Sequence, residues 1–319
     1  MGIVRAGVAH LLHPRPVAAA HSAHGGTGVK FKVRHTTTYK YTEPVQLSHH
    51  AAHLQPRTVD GQSVGQVKVT IRPSPEVLDE GGRDYFGNPI TFFTIQSPHS
   101  TLVIDASFVV ETAGQPRLPQ IAVPAWDSVR LNTWSGARGI DESVMDFVFA
   151  SPQVPPLAEA ERFALPSFPP GRPLDEAVMD LNHRIHSEFT FDPEATTVGT
   201  PLAQVFQQRR GVCQDFAHVG IACLRAMGLA ARYVSGYIRT KPPPGKEKLV
   251  GADASHAWLS VYQPGWGWLD LDPTNDMAAG QDHIVVAWGR DYDDVTPVRG
   301  VVLGGGEHQV LVAVDVLEM

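Results

Sequence analysis

A cysteine, a histidine and an aspartate in the second half of the sequence have the types and local settings that nucleophilic acyl chemistry needs. The cysteine is Cys213, in Gly211-Val212-Cys213-Gln214-Asp215-Phe216-Ala217-His218. Gly211 can supply the unusual backbone angles of a sharp turn into a helix. From Val212 to Met227, the residues Phe216, Val219, Gly220, Cys223, Leu224 and Met227 recur at helical spacing. The pattern predicts Cys213 in the first helical turn, where unpaired backbone N–H groups and the positive end of the helix dipole favour a thiolate over a thiol. The histidine is His256, in the strand-like run Ala254 to Tyr262, and the turn-rich link Gln263 to Gly267 leads into a second strand ending at Asp272. As antiparallel neighbours these strands set an imidazole beside a carboxylate, so that one takes the thiol proton and the other orients the ring. Strand alternation puts Asp270 on the same face as Asp272, and Asp276 is close by, so pattern alone leaves three carboxylates in play. His218 lies five positions after Cys213, off its face of the helix, and is a weak base candidate. Asp215 in the first turn reads as a complement to the helix dipole.

The elements that must position these groups need a sizeable core. At 319 residues and 43% hydrophobic the chain can build one, and its length favours two domains. With a net charge of −7 and no basic cluster, nucleic acid is not an expected partner. No long uncharged apolar run is present, so no membrane span or membrane partner is expected. The two cysteines, Cys213 and Cys223, fall on one predicted helix. They would sit roughly 15 Å apart at the standard rise, too far for a disulfide, which suits a reducing, cytoplasmic location. Cys223, on the apolar face, is read as a small buried hydrophobe.

In chain order, 1–28 is read as a disordered tail whose His10, His13, His21 and His24 have no carboxylate or cysteine ligand beside them. Short alternating runs separated by turns across 29–115 predict an antiparallel β-sandwich or small barrel. Within it His49 and His53 would lie roughly 13 Å apart along a strand, too far for one metal. A proline-rich connector with short helices follows over 116–173, and 174–319 forms the core that holds the three residues. Leu174 to Phe189 carries a helical stripe. Pro201 opens a short helix to Arg209 with Thr200 as its N-cap. Ala230 to Ile238 continues as a strand, Lys241 to Lys248 as a polar loop, and three further strand-like runs close the chain.

The runs GVCQDFAHVGIACLRAMGLAARYVSGYI and SHAWLSVYQPGWGWLDLDPTND resemble the bacterial transglutaminase-like superfamily, with its papain-like Cys-His-Asp core. Segments such as Arg34 to Tyr41 and Asp84 to Asn88 resemble the N-terminal domain that accompanies that core. The resemblance implies an α+β fold, with a helix-borne cysteine packed on an antiparallel sheet and preceded by an N-terminal antiparallel β-sandwich. By motif, Cys213 corresponds to the nucleophile, His256 to the base and Asp272, through its Asp-Pro-Thr context, to the orienting acid. It further implies acyl transfer on a peptide or protein amide through a thioester, without cofactor or metal. Hydrolysis, as by a peptidase or amidase, is the expected outcome, with transfer to an amine, as by a protein-glutamine transglutaminase, as an alternative. A silent binding module is the other alternative, although such a relative is expected to have lost one of the three residues. The backbone N–H of Cys213 is one expected oxyanion donor, with Gln207, Gln208 and Gln214 as candidates for the second. Trp258, Trp266 and Trp268 are expected mainly to pack the strands, one of them, Trp258, walling the substrate cleft. A metal-dependent hydrolase built on histidines finds no Cys-x-x-Cys pair or Asp/Asn-rich calcium loop to support it. Oligomeric state is not legible.

Overall fold

A strand of 24 residues, β1 (Val29–Ala52), is the axis of the N-terminal half. Its alternation is what a sheet requires: Phe31, Val33, His35 and Thr37 are buried while Lys30, Lys32 and Arg34 are exposed. The computed structural model describes residues 28–113, 123–134, 142–240 and 255–319. The expected tail apart from Gly28, with its four histidines, and the loop Lys241 to Lys248 lie outside the described residues.

After β1 come β2 (Gln62–Arg72), β3 (Val77–Arg83), β4 (Pro89–Ile95) and β5 (His99–Thr112). The connector carries α1 (Trp126–Trp134), α2 (Glu142–Met145) and α3 (Ala158–Ala164). Then follow α4 (Leu174–Glu188), β6 (Thr190–Phe191), α5 (Leu202–Gln208), β7 (Arg210–Gly211) and α6 (Cys213–Ala226). The chain closes with β8 (Ala231–Ile238), β9 (Ser255–Gln263), β10 (Gly267–Asp272), β11 (Met277–Ala278), β12 (His283–Gly289), β13 (Val298–Gly304) and β14 (His308–Glu318). No helix among the described residues is long and apolar enough to cross a membrane.

The strands of the N-terminal β domain belong to one seven-stranded antiparallel sheet, ordered β2-β5-β1-β4-β3 with β13 and β14 also on β1. The first half of β1 runs between β5 and β14, the second between β4 and β13. Ala52, Leu54, Ile71, Phe93, Ile95, Leu102, Ile104 and Ala106 form a core within this sheet. Phe31, Val33, Phe108, Val110, Val314 and Val316 instead join the main core with α4, α5 and α6. The last two strands were expected with the catalytic core. They complete the N-terminal sheet instead, since alternation predicts that a segment is a strand but not which edge it joins.

The second sheet, β11-β10-β9-β8-β12, carries α6 on one face. Alternation on β9 turns Ala257, Leu259 and Val261 into the core with α6 and leaves His256, Trp258 and Ser260 on the opposite face. Gly220 is where the helix approaches most closely: a Cβ there would stand 2.3 Å from Leu259 Cδ2. A side chain at that position would force Leu259, which packs beneath the helix that carries Cys213, to shift. Gly211 also has its place for closeness and not for unusual angles, because its φ is not positive and a Cβ would meet Asp215 Oδ2 at 2.5 Å. The left-handed residue at this corner is Arg209 (φ 53°), the C-cap of α5. Thr200 does not cap α5. That helix starts after Pro201 without a side-chain cap, and Thr200 Oγ1 accepts the Thr197 N–H at 2.9 Å.

Candidate active site

The short parallel pair β6–β7 delivers the chain from α5 into α6, with Thr190 N–H bonded to Arg209 O and Asp192 N–H to Gly211 O. Asp215 then folds back, its Oδ2 accepting the Val212 N–H at 2.8 Å and the Thr196 hydroxyl at 2.6 Å. Burial pushes its carboxyl pKa up, and these two bonds offset part of that rise. This bracing fixes the first turn and leaves Cys213, half-buried, as the first helical residue. The cysteines are unpaired by disulfide, and burial pushes the Cys223 thiol pKa far up, as expected of a core residue. His218 is also core. Burial holds it near 3, its neutral ring accepts the Tyr292 N–H at 3.2 Å, and it takes no part in the cluster around Cys213.

His256 opens β9 and Asp272 closes β10, on the same sheet face. The two strands are antiparallel neighbours, with Leu259 opposite Leu271. His256 Nε2 donates to Asp272 Oδ2 at 2.7 Å, and Cys213 is near enough to favour the charged ring. With Nε2 committed to the carboxylate, Nδ1 is the nitrogen left for sulfur. Burial disfavours the charged ring, but the bond to Asp272, the nearness of Cys213 and the charges of both outweigh it and raise His256 to about 9.

Asp272 is fully buried and collects hydrogen bonds at both oxygens. Oδ1 accepts the backbone N–H groups of Thr274 (3.0 Å) and Asn275 (3.2 Å). Besides the His256 bond, Oδ2 accepts Asn275 Nδ2 at 2.7 Å and His283 Nε2 at 3.0 Å. Burial alone would raise its pKa. The bonds from His256 and His283 and the charge of His256 reverse this and hold the group well below the usual carboxylate range.

His283 was not singled out in the sequence. It opens β12, eleven residues after Asp272, and reaches the carboxylate because β12 pairs with β8 at the far side of the sheet. Its Nδ1 accepts the Gly280 N–H at 3.1 Å, so Nε2 carries the proton it gives to Asp272. The ligand atoms of His256, Asp272 and His283 lie within 4.8 Å of one another, a spacing a divalent ion could use. As arranged, however, both Nε2 atoms donate protons into the carboxylate, so the cluster is a hydrogen-bonded triad with one extra donor. Replacing His283 with alanine is expected to cost about 1–3 kcal/mol of stability by leaving a buried acceptor short of a donor. Urea unfolding of His283→Ala against wild type measures this, and an unchanged midpoint and slope would refute it.

Residues 168–273 match the family model of the transglutaminase-like superfamily, and 31–111 match that of the bacterial transglutaminase-like N-terminal region. The chain belongs to the transglutaminase-like superfamily. An uncharacterized protein of Mycobacterium tuberculosis is 42% identical over 296 residues, 90% of this chain and 92% of the relative. One from Mycobacterium leprae is 31% identical over 293 residues, 91% of this chain and 99% of that one. A protein-glutamine gamma-glutamyltransferase of Pseudomonas aeruginosa is 37% identical over 91 residues, 28% of this chain and 14% of that enzyme. In fold, the chain is similar to a candidate cysteine protease from Cytophaga hutchinsonii, with TM-score 0.71, 19% identity and 92% coverage of each chain.

Other residues singled out in this transglutaminase-like chain fall elsewhere. Gln208 Nε2 donates to the carbonyls of Arg210 (3.2 Å) and Ala195 (3.5 Å), and Gln214 Nε2 to that of Val198 (3.4 Å). Gln208 ties the 195–198 loop to the end of α5 and Gln214 ties it to the start of α6, and these bonds compete with an oxyanion role. Trp258 is fully buried, packed edge-on against His283 with ring centroids 5.2 Å apart, and the space it borders is one that neither Cys213 nor His256 lines. Asp270 accepts from Ser260 Oγ and lies beside Arg232, and Asp276 pairs with His183 at 2.7 Å, so neither rival carboxylate meets His256. His49 and His53 do not converge either: the first bonds Thr94 Oγ1 and the second Asp84 and the Thr296 carbonyl.

Proposed function

We propose that the protein is a cysteine-dependent enzyme of acyl transfer at amide bonds, with hydrolysis as its main outcome. The observation that carries this reading is one imidazole bonded at 2.7 Å to a buried carboxylate, with a helix N-terminal cysteine close enough to favour its charged form. With a pKa raised to about 9, His256 is protonated at neutral pH, the form that pairs with a thiolate nucleophile in this mechanism.

In the acylation step Cys213 Sγ attacks the carbonyl carbon and a tetrahedral oxyanion forms. The first N–H groups of a helix have no intrahelical acceptor, so the Cys213 N–H is available to that oxyanion. The C–N bond breaks as His256 gives its proton to the departing amine, leaving a thioester and a neutral imidazole. Water then gives His256 a proton as its oxygen attacks the thioester. The carboxylic acid leaves, and the thiolate–imidazolium pair is restored. Asp272 keeps its charge throughout and holds the ring in one tautomer.

Similarity to the Pseudomonas aeruginosa gamma-glutamyltransferase favours a second reading, in which a primary amine replaces water. One experiment separates the two. Unstructured glutamine-containing peptides are incubated with the protein, with and without a primary amine, and the products are weighed by mass spectrometry. Peptide cleavage or glutamine deamidation that the amine leaves unchanged supports hydrolysis. Amine adducts replacing hydrolysis products support transfer. Product formation by the Cys213→Ala variant at the wild-type rate would overturn both.

A further inference from the structure

The sheet face that presents His256 and Asp272 continues, one strand-step further on, into a cavity of about 350 Å³. Trp258 stands two residues after His256, and Asp270 two before Asp272, on that same face. Neither Cys213 nor His256 lines the space, so it is distinct from the acyl-transfer site. Its other wall is the Val59–Gln62 turn of the N-terminal domain. That turn is fixed to β12 by Gln62, which donates to Val285 O and accepts the Val285 N–H, each at 2.8 Å. Cavities of this size at the junction of two packed units are typical small-molecule sites.

One of its lining residues is Arg232, a cation only 8% exposed. Its guanidinium lies between two indoles, 4.2 Å from the Trp268 ring centroid and 3.8 Å from that of Trp288. Burial lowers its pKa to about 9, with attraction from Asp270 working the other way, so it remains charged at neutral pH. Among the described residues it has one hydrogen bond, from Nε to Ser260 Oγ at 3.3 Å, and its two terminal amino groups have no acceptor. These amino groups are not among the buried atoms without a partner, so they keep some accessible surface, and as a pair they match the two oxygens of a carboxylate. The remaining walls are apolar or aromatic: Trp258, Trp266, Val234 and Ala279. Asp270 beside Arg232, and the exposed Asp60 at the rim, keep the site from the net positive charge a phosphate dianion would need.

We propose that this cavity is a second ligand site, which takes a small organic carboxylate with an aromatic or apolar body, its carboxylate bound by the terminal amino groups of Arg232. His283 is part of the wall, so an occupant lies one hydrogen bond from Asp272.

The test titrates phenylacetate, phenylacetamide and phenethylammonium at neutral pH, followed by calorimetry and by fluorescence of the tryptophans that line the cavity. Phenylacetate is expected to bind saturably, at least about tenfold more tightly than the amide. Arg232→Met should erase that preference. Because removing a buried cation can cost the fold, Gly280→Leu is the second variant. A Cβ at Gly280, on the cavity wall, meets nothing within 4 Å, so the leucine fills space and leaves Arg232 in place. It should abolish phenylacetate binding with an unchanged circular dichroism spectrum, while Cys213→Ala binds as wild type does. No saturable phenylacetate binding, equal binding of the amide, tighter binding of phenethylammonium, or phenylacetate binding unaffected by Gly280→Leu would each overturn the proposal.

Discussion

Asp272→Asn is expected to lower amide turnover by about 10⁴-fold while the protein stays folded, the scale of effect that follows when a catalytic imidazole is held in the wrong tautomer. The asparagine oxygen can keep only part of the present set of bonds. At Oδ2 three donors converge, from His256, His283 and Asn275, and an amide NH2 placed there would face N–H groups. His256 then does best by moving its proton to Nδ1, toward Cys213, where it cannot accept the thiol proton. Without the carboxylate charge, burial also dominates and the ring no longer holds its proton up to about pH 9. Steady-state kcat/KM against pH checks this, and a loss below about tenfold would remove Asp272 from the mechanism.

The same pair has a stability signature with a definite sign. Asp272 has a depressed pKa, so its contribution is present above the ordinary carboxylate value of 3.8 and is lost as pH falls through its lower folded value. His256 is raised from 6.5 to about 9, so its contribution is complete below 6.5 and lost as pH rises through about 9.

Cys213→Ala should abolish turnover, by at least about 10³-fold, with a thermal midpoint close to that of wild type. The thiol is half-buried at the very start of α6, and the turn beneath it is held by Asp215, Val212 and Thr196 rather than by sulfur. Cys223 gives the contrast, being fully buried, so the equivalent truncation there should destabilise the fold and leave the chemistry in place. Differential scanning calorimetry together with the peptide assay separates the two cases. Loss of cooperative unfolding in Cys213→Ala would mark that residue as core.

What could be read from the residues followed from how local each signal is. The α6 stripe and the β9–β10 hairpin depend on neighbours a few positions apart, so periodicity and turn chemistry predicted the elements that carry Cys213, His256 and Asp272, while the choice of Asp272 over Asp270 and Asp276 came from the resemblance at Asp-Pro-Thr. His283 depends on sheet order. Its strand is separated from β10 in the sheet by β9 and β8, and no spacing along the chain announces that its ring meets Asp272. The same is true of β13 and β14, whose alternation was plain but whose partner, β1, lies more than two hundred residues earlier. Gln208, Gln214 and Trp258 were judged by closeness in sequence to the nucleophile or base. Their bonds and burial depend on which way each side chain turns, which sequence spacing does not encode. The Arg232 cavity was hidden for a related reason: its walls come from four strands of one sheet and a turn of the other domain.

The most direct test of the central claim is the pH dependence of Cys213 alkylation by iodoacetamide, located by mass spectrometry, in wild type and His256→Ala. Because His256 holds its proton up to about pH 9, labelling of wild type should stay fast well below pH 8, and the variant should slow toward an ordinary thiol. Equal rates in the two proteins across the pH range, or no labelling until unfolding, would contradict a His256-activated nucleophile.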